Sequence, residues 1–315
     1  MNKKTIEKNN TVKGLSDDFK QKDRRGNVIP PDKIRRYGRK VRGLPYMSVV
    51  SPYIMRTRQD SSNYIRDTIR IERLEDYIRQ KRVEGLTNLT LMHVLIAAYI
   101  RVVSQRPAIN RFIQGQRIYA RKNVEISLVI KKTMSLDSQD TALKMYFYPD
   151  ATIYDVYNQI NDAVEGFRNA PGGNFEETVK LLAYVPGLAL KAAVGGLRFL
   201  DYFGMLPRFL TKLSPFHGSF FITSMGSLGI PPIYHHLYDF GNLPVFMSFG
   251  AKYRKNVVLD DGRVEKQSFV DYTFVTDERI CDGFYFASGM KLLRSILKNP
   301  LQLDNPPETV VMDIK

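Results

Sequence analysis

Apolar residues recur along this chain with two different periods, and the two periods do not take regular turns. Residues 63–71, NYIRDTIRI, alternate apolar and polar, which is the pattern of a half-buried strand. Residues 72–82 read as a polar helix. Thr90 then stands where a helix cap is needed. Met92, Leu95, Ile96, Tyr99, Val102 and Val103 follow on one helical face, and Pro107 lies just past the end. Residues 117–131 and 143–148 read as strands. Residues 152–167 read as an amphipathic helix with Ile153, Val156, Ile160 and Val164 in a stripe. The last third is strand-rich over 220–223, 245–249, 256–259, 263–267 and 269–275, with a hairpin turn at Asp261-Gly262. A helix from about Ala287 to Lys298 stops at Asn299-Pro300. Strands and helices mixed without strict alternation predict an α+β fold.

The chain has 315 residues, 43% hydrophobic and 11% aromatic, enough to bury a core. One cysteine excludes a disulfide framework and a cysteine zinc site. Four histidines leave little room for a metal cage, so no metal is expected. The net charge is +15, and residues 1–60 alone hold 16 basic and 6 acidic residues. The basic excess therefore belongs to a mostly extended N-terminal arm, residues 1–60, with order beginning near Tyr46 and a folded domain over 61–315. A solvated arm is favoured over a nucleic-acid contact, because only Tyr37 interleaves the basic run. The longest uncharged apolar stretch, Leu181 to Leu190, is ten residues, too short to span a membrane. No apolar stretch follows the basic N-terminus, so a cytoplasmic location is expected.

Residues 175–213 are helical in period, rich in Leu and Phe, and interrupted at Pro186-Gly187, Gly195-Gly196 and Pro207. They read as a helical insertion that packs on the body or on another subunit. Lys180, Lys191, Arg198, Arg208 and Lys212 also make weak contact with a membrane surface or an acyl chain physically possible.

The nucleotide-binding glycine loops G-x-x-x-x-G-K-[ST] and G-x-G-x-x-G are absent, as are H-E-x-x-H, G-x-S-x-G and C-x-x-C. Two other segments stand out: Phe220-Phe221-Ile222-Thr223-Ser224-Met225-Gly226, and Thr276 to Phe284 with Cys281-Asp282-Gly283-Phe284 at its end. Together with Leu91–Asn110, a helix closing on Pro107-Ala108-Ile109-Asn110, they resemble the superfamily of chloramphenicol acetyltransferase and the dihydrolipoyl acyltransferase cores of 2-oxoacid dehydrogenase complexes. The resemblance covers about residues 61–303. It implies a two-layer sandwich and a homotrimer with active sites between subunits. It also implies acyl transfer with a coenzyme A thioester as cosubstrate, no other cofactor being bound. In that family a motif histidine takes the proton from a thiol, and a hydroxyl in the F-T-I-S-N-L-G segment donates to the oxyanion. Carried over, Thr223 takes the hydroxyl position and Asp282 the structural aspartate. Ser224, Arg279 and Gly283 fall at substrate-contacting positions.

The histidine position is Glu278. A thiol near pKa 8.5 gives its proton to a glutamate near 4.3 at a cost of about 6 kcal/mol, against about 3 kcal/mol for a histidine. Burial would raise the Glu278 pKa and narrow that gap, whereas pairing with Arg279 would undo it. A structural carboxylate in an inactive family member, kept as a scaffold or acyl/CoA-binding module, is the competing reading. His235 and His236 are alternative bases. On a strand they would point to opposite sides, and Asp239 stands where it could orient one of them. Cys281 reads as a small buried thiol. Nothing before residue 61 is long or apolar enough for a lipoyl domain, so a stand-alone transferase is expected over a swinging-arm enzyme.

Overall fold

The computed structural model describes residues 34–35, 38–131, 140–169 and 184–314. Most of the basic arm and residues 175–183 of the insertion lie outside these.

Strands β1 (Ile34–Arg35) and β2 (Gly38–Lys40) lead to helix α1 (Tyr46–Ile54), strand β3 (Ser62–Arg70) and helices α2 (Glu72–Val83) and α3 (Leu91–Gln105). Strands β4 (Arg111–Gln114), β5 (Arg117–Arg121), β6 (Val124–Lys131) and β7 (Asp140–Phe147) follow. Then come helices α4 (Ile153–Asn169), α5 (Gly187–Tyr202) and α6 (Arg208–Leu213). Strands β8 (Phe220–Ser224), β9 (Val245–Phe249), β10 (Tyr253–Val258) and β11 (Val264–Asp277) precede helix α7 (Gly283–Lys298).

The expected α+β architecture is the one observed. A mixed seven-stranded sheet runs β7, β6, β8, β9, β11, with β10 beside the first half of β11 and β3 along its other edge. The pairs β6–β8 and β8–β9 are parallel. A smaller sheet joins β1, β2, β5 and β4. The main core lies between the large sheet and helices α2, α3, α4 and α7. Helix α3 is central because its apolar positions extend all round, and every residue from His93 to Ser104 is buried. Thr90 caps it as anticipated, in a reciprocal capping box with His93. The Tyr99 ring stacks on Phe220 of β8 at 3.8 Å, which fixes the central strand against the helix.

Several boundaries differ from the sequence reading. The chain enters the fold at Gly38, before Tyr46: β2 pairs with β5, and Val41 is buried. The strand read over 117–131 is two strands, β5 and β6, broken at Lys122-Asn123. The two strands read over 263–275 are one, because β10 pairs across the expected break, from Val258↔Val264 through Arg254↔Ser268 to Tyr253↔Phe269, and β3 takes over from Phe269 to Asp277. Helix α5 begins after Pro186 but runs through Gly195-Gly196, where a break was expected. Two glycines cost a helix about 2 kcal/mol without terminating it. The final helix starts at Gly283, earlier than Ala287, because Asp282 caps it.

No residue of α5 is buried, and Tyr184, Leu188, Phe199 and Phe209 are exposed around it. Helix α1 likewise exposes Tyr46, Met47 and Ile54. Among the described residues, no helix is long and apolar enough to cross a membrane.

Candidate functional site

Strand alternation decides which face each β8 residue serves. Phe220 and Ile222 face the helices, so Phe221 and Thr223 face the other way. Their parallel partners Ser127, Phe246 and Ser248 share that second face. Phe221 stacks on Phe246 and joins Leu237, Leu243 and Val275 in a separate small cluster. The irregular segment 230–242 lies over it. The Ile233 amide donates to Ser248 Oγ at 3.2 Å, and Thr273 Oγ1 donates to the Ile233 carbonyl at 2.5 Å.

The same segment settles the two histidines. It is not a strand, and the rings of His235 and His236 stack on each other at 4.7 Å instead of pointing to opposite sides. His235 is further sandwiched on Phe246 at 4.2 Å, and its Nδ1 lies 2.9 Å from the His236 carbonyl. Burial lowers its pKa. Asp239 orients neither ring, because its carboxylate accepts from the Arg58 amide at 2.8 Å.

Glu278 follows the last residue of β11 and opens a short 3-10 turn, Glu278–Ile280. Its amide donates to the Ser61 carbonyl at 2.8 Å, and its side chain is exposed. Among the described residues no hydrogen bond or ion pair reaches its carboxylate. Arg279 turns the other way. It is buried and grips Asp277 with two hydrogen bonds, Nε to Oδ1 at 2.8 Å and Nη2 to Oδ2 at 2.7 Å. Its Nη1 donates to the Met55 carbonyl at 2.9 Å. Arg279 therefore holds the loop and neither pairs with Glu278 nor stands free for a substrate, which corrects its expected role. Asp282 accepts from the Tyr285 amide at 2.8 Å as the cap of α7. Gly283 is exposed, and a methyl group there would meet open space. Ser224 accepts from Ser227 through its carbonyl at 3.2 Å. Burial pushes the Cys281 thiol up to about 12, the behaviour of a packing residue.

The sheet register fixes how far apart the two reactive positions are. Ser248 pairs with both Thr223 and Thr273, so these three form one row across β8, β9 and β11. Glu278 comes five residues beyond Thr273. At about 3.3 Å per residue and 4.8 Å per strand, it sits about 16 Å along and about 10 Å across from Thr223. Within one chain the hydroxyl and the carboxylate cannot meet on the same carbonyl.

Residues that sequence reasoning passed over build the surroundings. Arg58 is buried and donates to the carbonyls of Tyr238, Asp239 and Gly241, tying segment 230–242 to the Glu278 loop. Gly241 has φ +89 and sits where a Cβ would lie 2.1 Å from the Phe216 carbonyl oxygen, so only glycine fits. His217 lies between Ser214 Oγ, 2.8 Å from Nδ1, and Asp201 Oδ1, 3.0 Å from Nε2. The serine is buried and also accepts from the Phe216 amide, so this relay locks α5 and α6 to the body. Arg58 and Gly241 lie outside the motif segments, His217 stands three residues before Phe220 but finds Asp201 sixteen residues upstream, and no local pattern marks any of the three. Among the described residues no group of three or more His, Cys, Asp or Glu is placed to hold a metal ion.

Compared with known proteins, the chain matches no family model and no curated protein sequence. Solved structures do match. A probable dihydrolipoamide acetyltransferase from Listeria monocytogenes is 15% identical, with a TM-score of 0.53, over 82% of this chain and 94% of that one. The dihydrolipoamide acetyltransferase of Azotobacter vinelandii is 14% identical, TM-score 0.53, over 88% and 99%. The fold is that of the dihydrolipoamide acyltransferase catalytic cores. A truncated 2-oxoacid dehydrogenase complex core from Thermoplasma acidophilum, 11% identical over 82% and 98%, shares it with a TM-score of 0.50.

Proposed function

We propose that this chain is an acyltransferase that takes its acyl group from a coenzyme A thioester, in a homotrimer whose sites lie between copies. The single observation that carries the reading is the separation of Thr223 from Glu278 across the sheet. A second copy is the means by which the two positions of the family motif would share one substrate. Exposed apolar side chains on α1 and α5 are available for such contacts. In the reaction the acceptor hydroxyl, amine or thiol gives its proton to Glu278 and attacks the thioester carbonyl. The Thr223 hydroxyl donates to the oxyanion. The carbon–sulfur bond then breaks, and the coenzyme A thiolate recovers the proton.

Release of free coenzyme A thiol from acetyl-, succinyl- and longer acyl-CoAs, with amine, hydroxyl and thiol acceptors, tests the proposal. Turnover that falls at least tenfold in Thr223→Ala supports it. Absence of turnover above that variant defeats it.

The exposure of the Glu278 carboxylate favours a second reading, an inactive family member retained as an oligomeric scaffold or an acyl/CoA-binding module. Glu278→His separates the two. Activity gained by the variant, where the natural protein has none, supports the scaffold. Activity abolished by the variant supports the enzyme.

A further inference from the structure

A cavity of about 320 Å³ opens beside the Arg279 loop, between the end of α1, the β4–β5 turn, the last turns of α5 and segment 239–242. Neither Thr223 nor Glu278 lines it. Its charged lining is Arg56, Arg58, Arg198 and Arg279 against Asp201 and Asp239. The acids are largely spent. Asp201 takes His217 on one oxygen and the Gly241 amide on the other, and Asp239 takes the Arg58 amide. Arg279 is spent on Asp277 and Met55.

What remains is a set of donors without acceptors. Arg56, just past the end of α1, and Arg198, on α5, are exposed to the cavity's solvent, and their guanidinium groups have no hydrogen bond or ion pair among the described residues. Asn242 lines the cavity, is only 2% exposed, and has no acceptor for its Nδ2. Its Oδ1 already accepts from Arg121 and from the Gly218 amide. Arg58 is 5% exposed, and its Nε has no hydrogen bond. The nearest Asp277 oxygen is 3.9 Å away. A buried donor left unmade keeps its desolvation cost without the bond that offsets it, so two of them at one cavity mark a place where an acceptor belongs. Both buried unmade groups are donors, and the two side chains with no partner are cations. That combination selects an acceptor-rich anion.

We propose that this cavity binds a small oxyanion, a carboxylate or a phosphate, held by Arg56 and Arg198 from two separate segments together with Asn242. The planar guanidinium fork suits either anion, and the volume admits a molecule about the size of ten waters. The site does not depend on acyl transfer, so its test stands apart from that of the proposed activity.

Isothermal titration of the full chain with inorganic pyrophosphate and, separately, with succinate tests it. The expected result is one site per chain for at least one of the two. Affinity should fall at least tenfold in the double variant Arg56→Ala/Arg198→Ala and be partly recovered in Arg56→Lys/Arg198→Lys. Preference for pyrophosphate identifies a phosphate ligand, and preference for succinate a carboxylate. A control double variant, Arg254→Ala/Lys266→Ala, removes the same charge from the β10–β11 hairpin. It should change affinity less than twofold. Equal loss in both double variants would mean diffuse attraction to a chain of net charge +15, and would overturn the site. Failure of both anions to bind the natural protein would overturn it as well.

Discussion

Arg279 and Asp277 meet as a buried, two-point ion pair, Nε to Oδ1 at 2.8 Å and Nη2 to Oδ2 at 2.7 Å, with both side chains almost wholly out of water. The pair closes the turn that presents Glu278. Ser61 Oγ donates to the same carboxylate at 3.0 Å, and Arg58 stands 3.9 Å from it. Breaking a buried pair from one side strands the other charge, at about 3–5 kcal/mol. Arg279→Ala should lose stability of that order. Asp277→Ala should lose more, because it strands two guanidiniums. Urea denaturation midpoints of the two variants check the ranking.

Asp282 has a different duty, and its variant should show it. Its carboxylate satisfies the Tyr285 amide at the start of α7. Asp282→Ala is expected to cost about 1 kcal/mol, and Asp282→Asn or Asp282→Ser should recover most of it. Loss of stability well above that in Asp282→Ala, unrelieved by the two capping variants, would assign the aspartate a role beyond the helix end.

Folding stability should depend on pH through His93. Burial, with Arg82 nearby, lowers its pKa to about 4, and its Nδ1 accepts from the Thr90 amide at 3.1 Å. The unfolded chain takes up the proton near pH 6.5, whereas the folded chain resists it until about 4. Stability is therefore complete above pH 6.5 and falls as pH drops through that window, by about 3 kcal/mol for this one group. His93→Gln keeps an acceptor for the cap and removes the titration. Thermal melts from pH 7 to pH 4 should fall less steeply for His93→Gln than for the natural protein.

A site shared between copies makes a prediction that a site within one chain does not. Thr223→Ala and Glu278→Ala should each be inactive alone. Unfolded together and refolded at equal amounts, they should regain about a quarter of natural activity, since random pairing leaves one intact contact in four. No regain on mixing, with each variant still trimeric by light scattering, would remove the shared site.

The class of fold was legible in the residues because its signals are local. Alternation marked β3, an apolar face and Thr90 marked α3, and Asp261-Gly262 marked the hairpin between β10 and β11. The order of the motif segments carried the family likeness, and Thr223 and Glu278 could be named from it. Their separation could not. It follows from Ser248 pairing with Thr223 on one side and Thr273 on the other, a register that depends on three strands far apart in sequence. The same holds for the partner of Arg279. The neighbour in sequence, Glu278, points to water, while Asp277 points inward with Arg58 and Ser61 around it. Adjacent side chains on an extended strand end leave on opposite sides, so which of two carboxylates meets the guanidinium is decided by which side is buried. The stacked histidines and the donor-rich cavity are likewise products of the covering segment 230–242. Residue order determined the elements, and burial against distant strands determined which side chains meet.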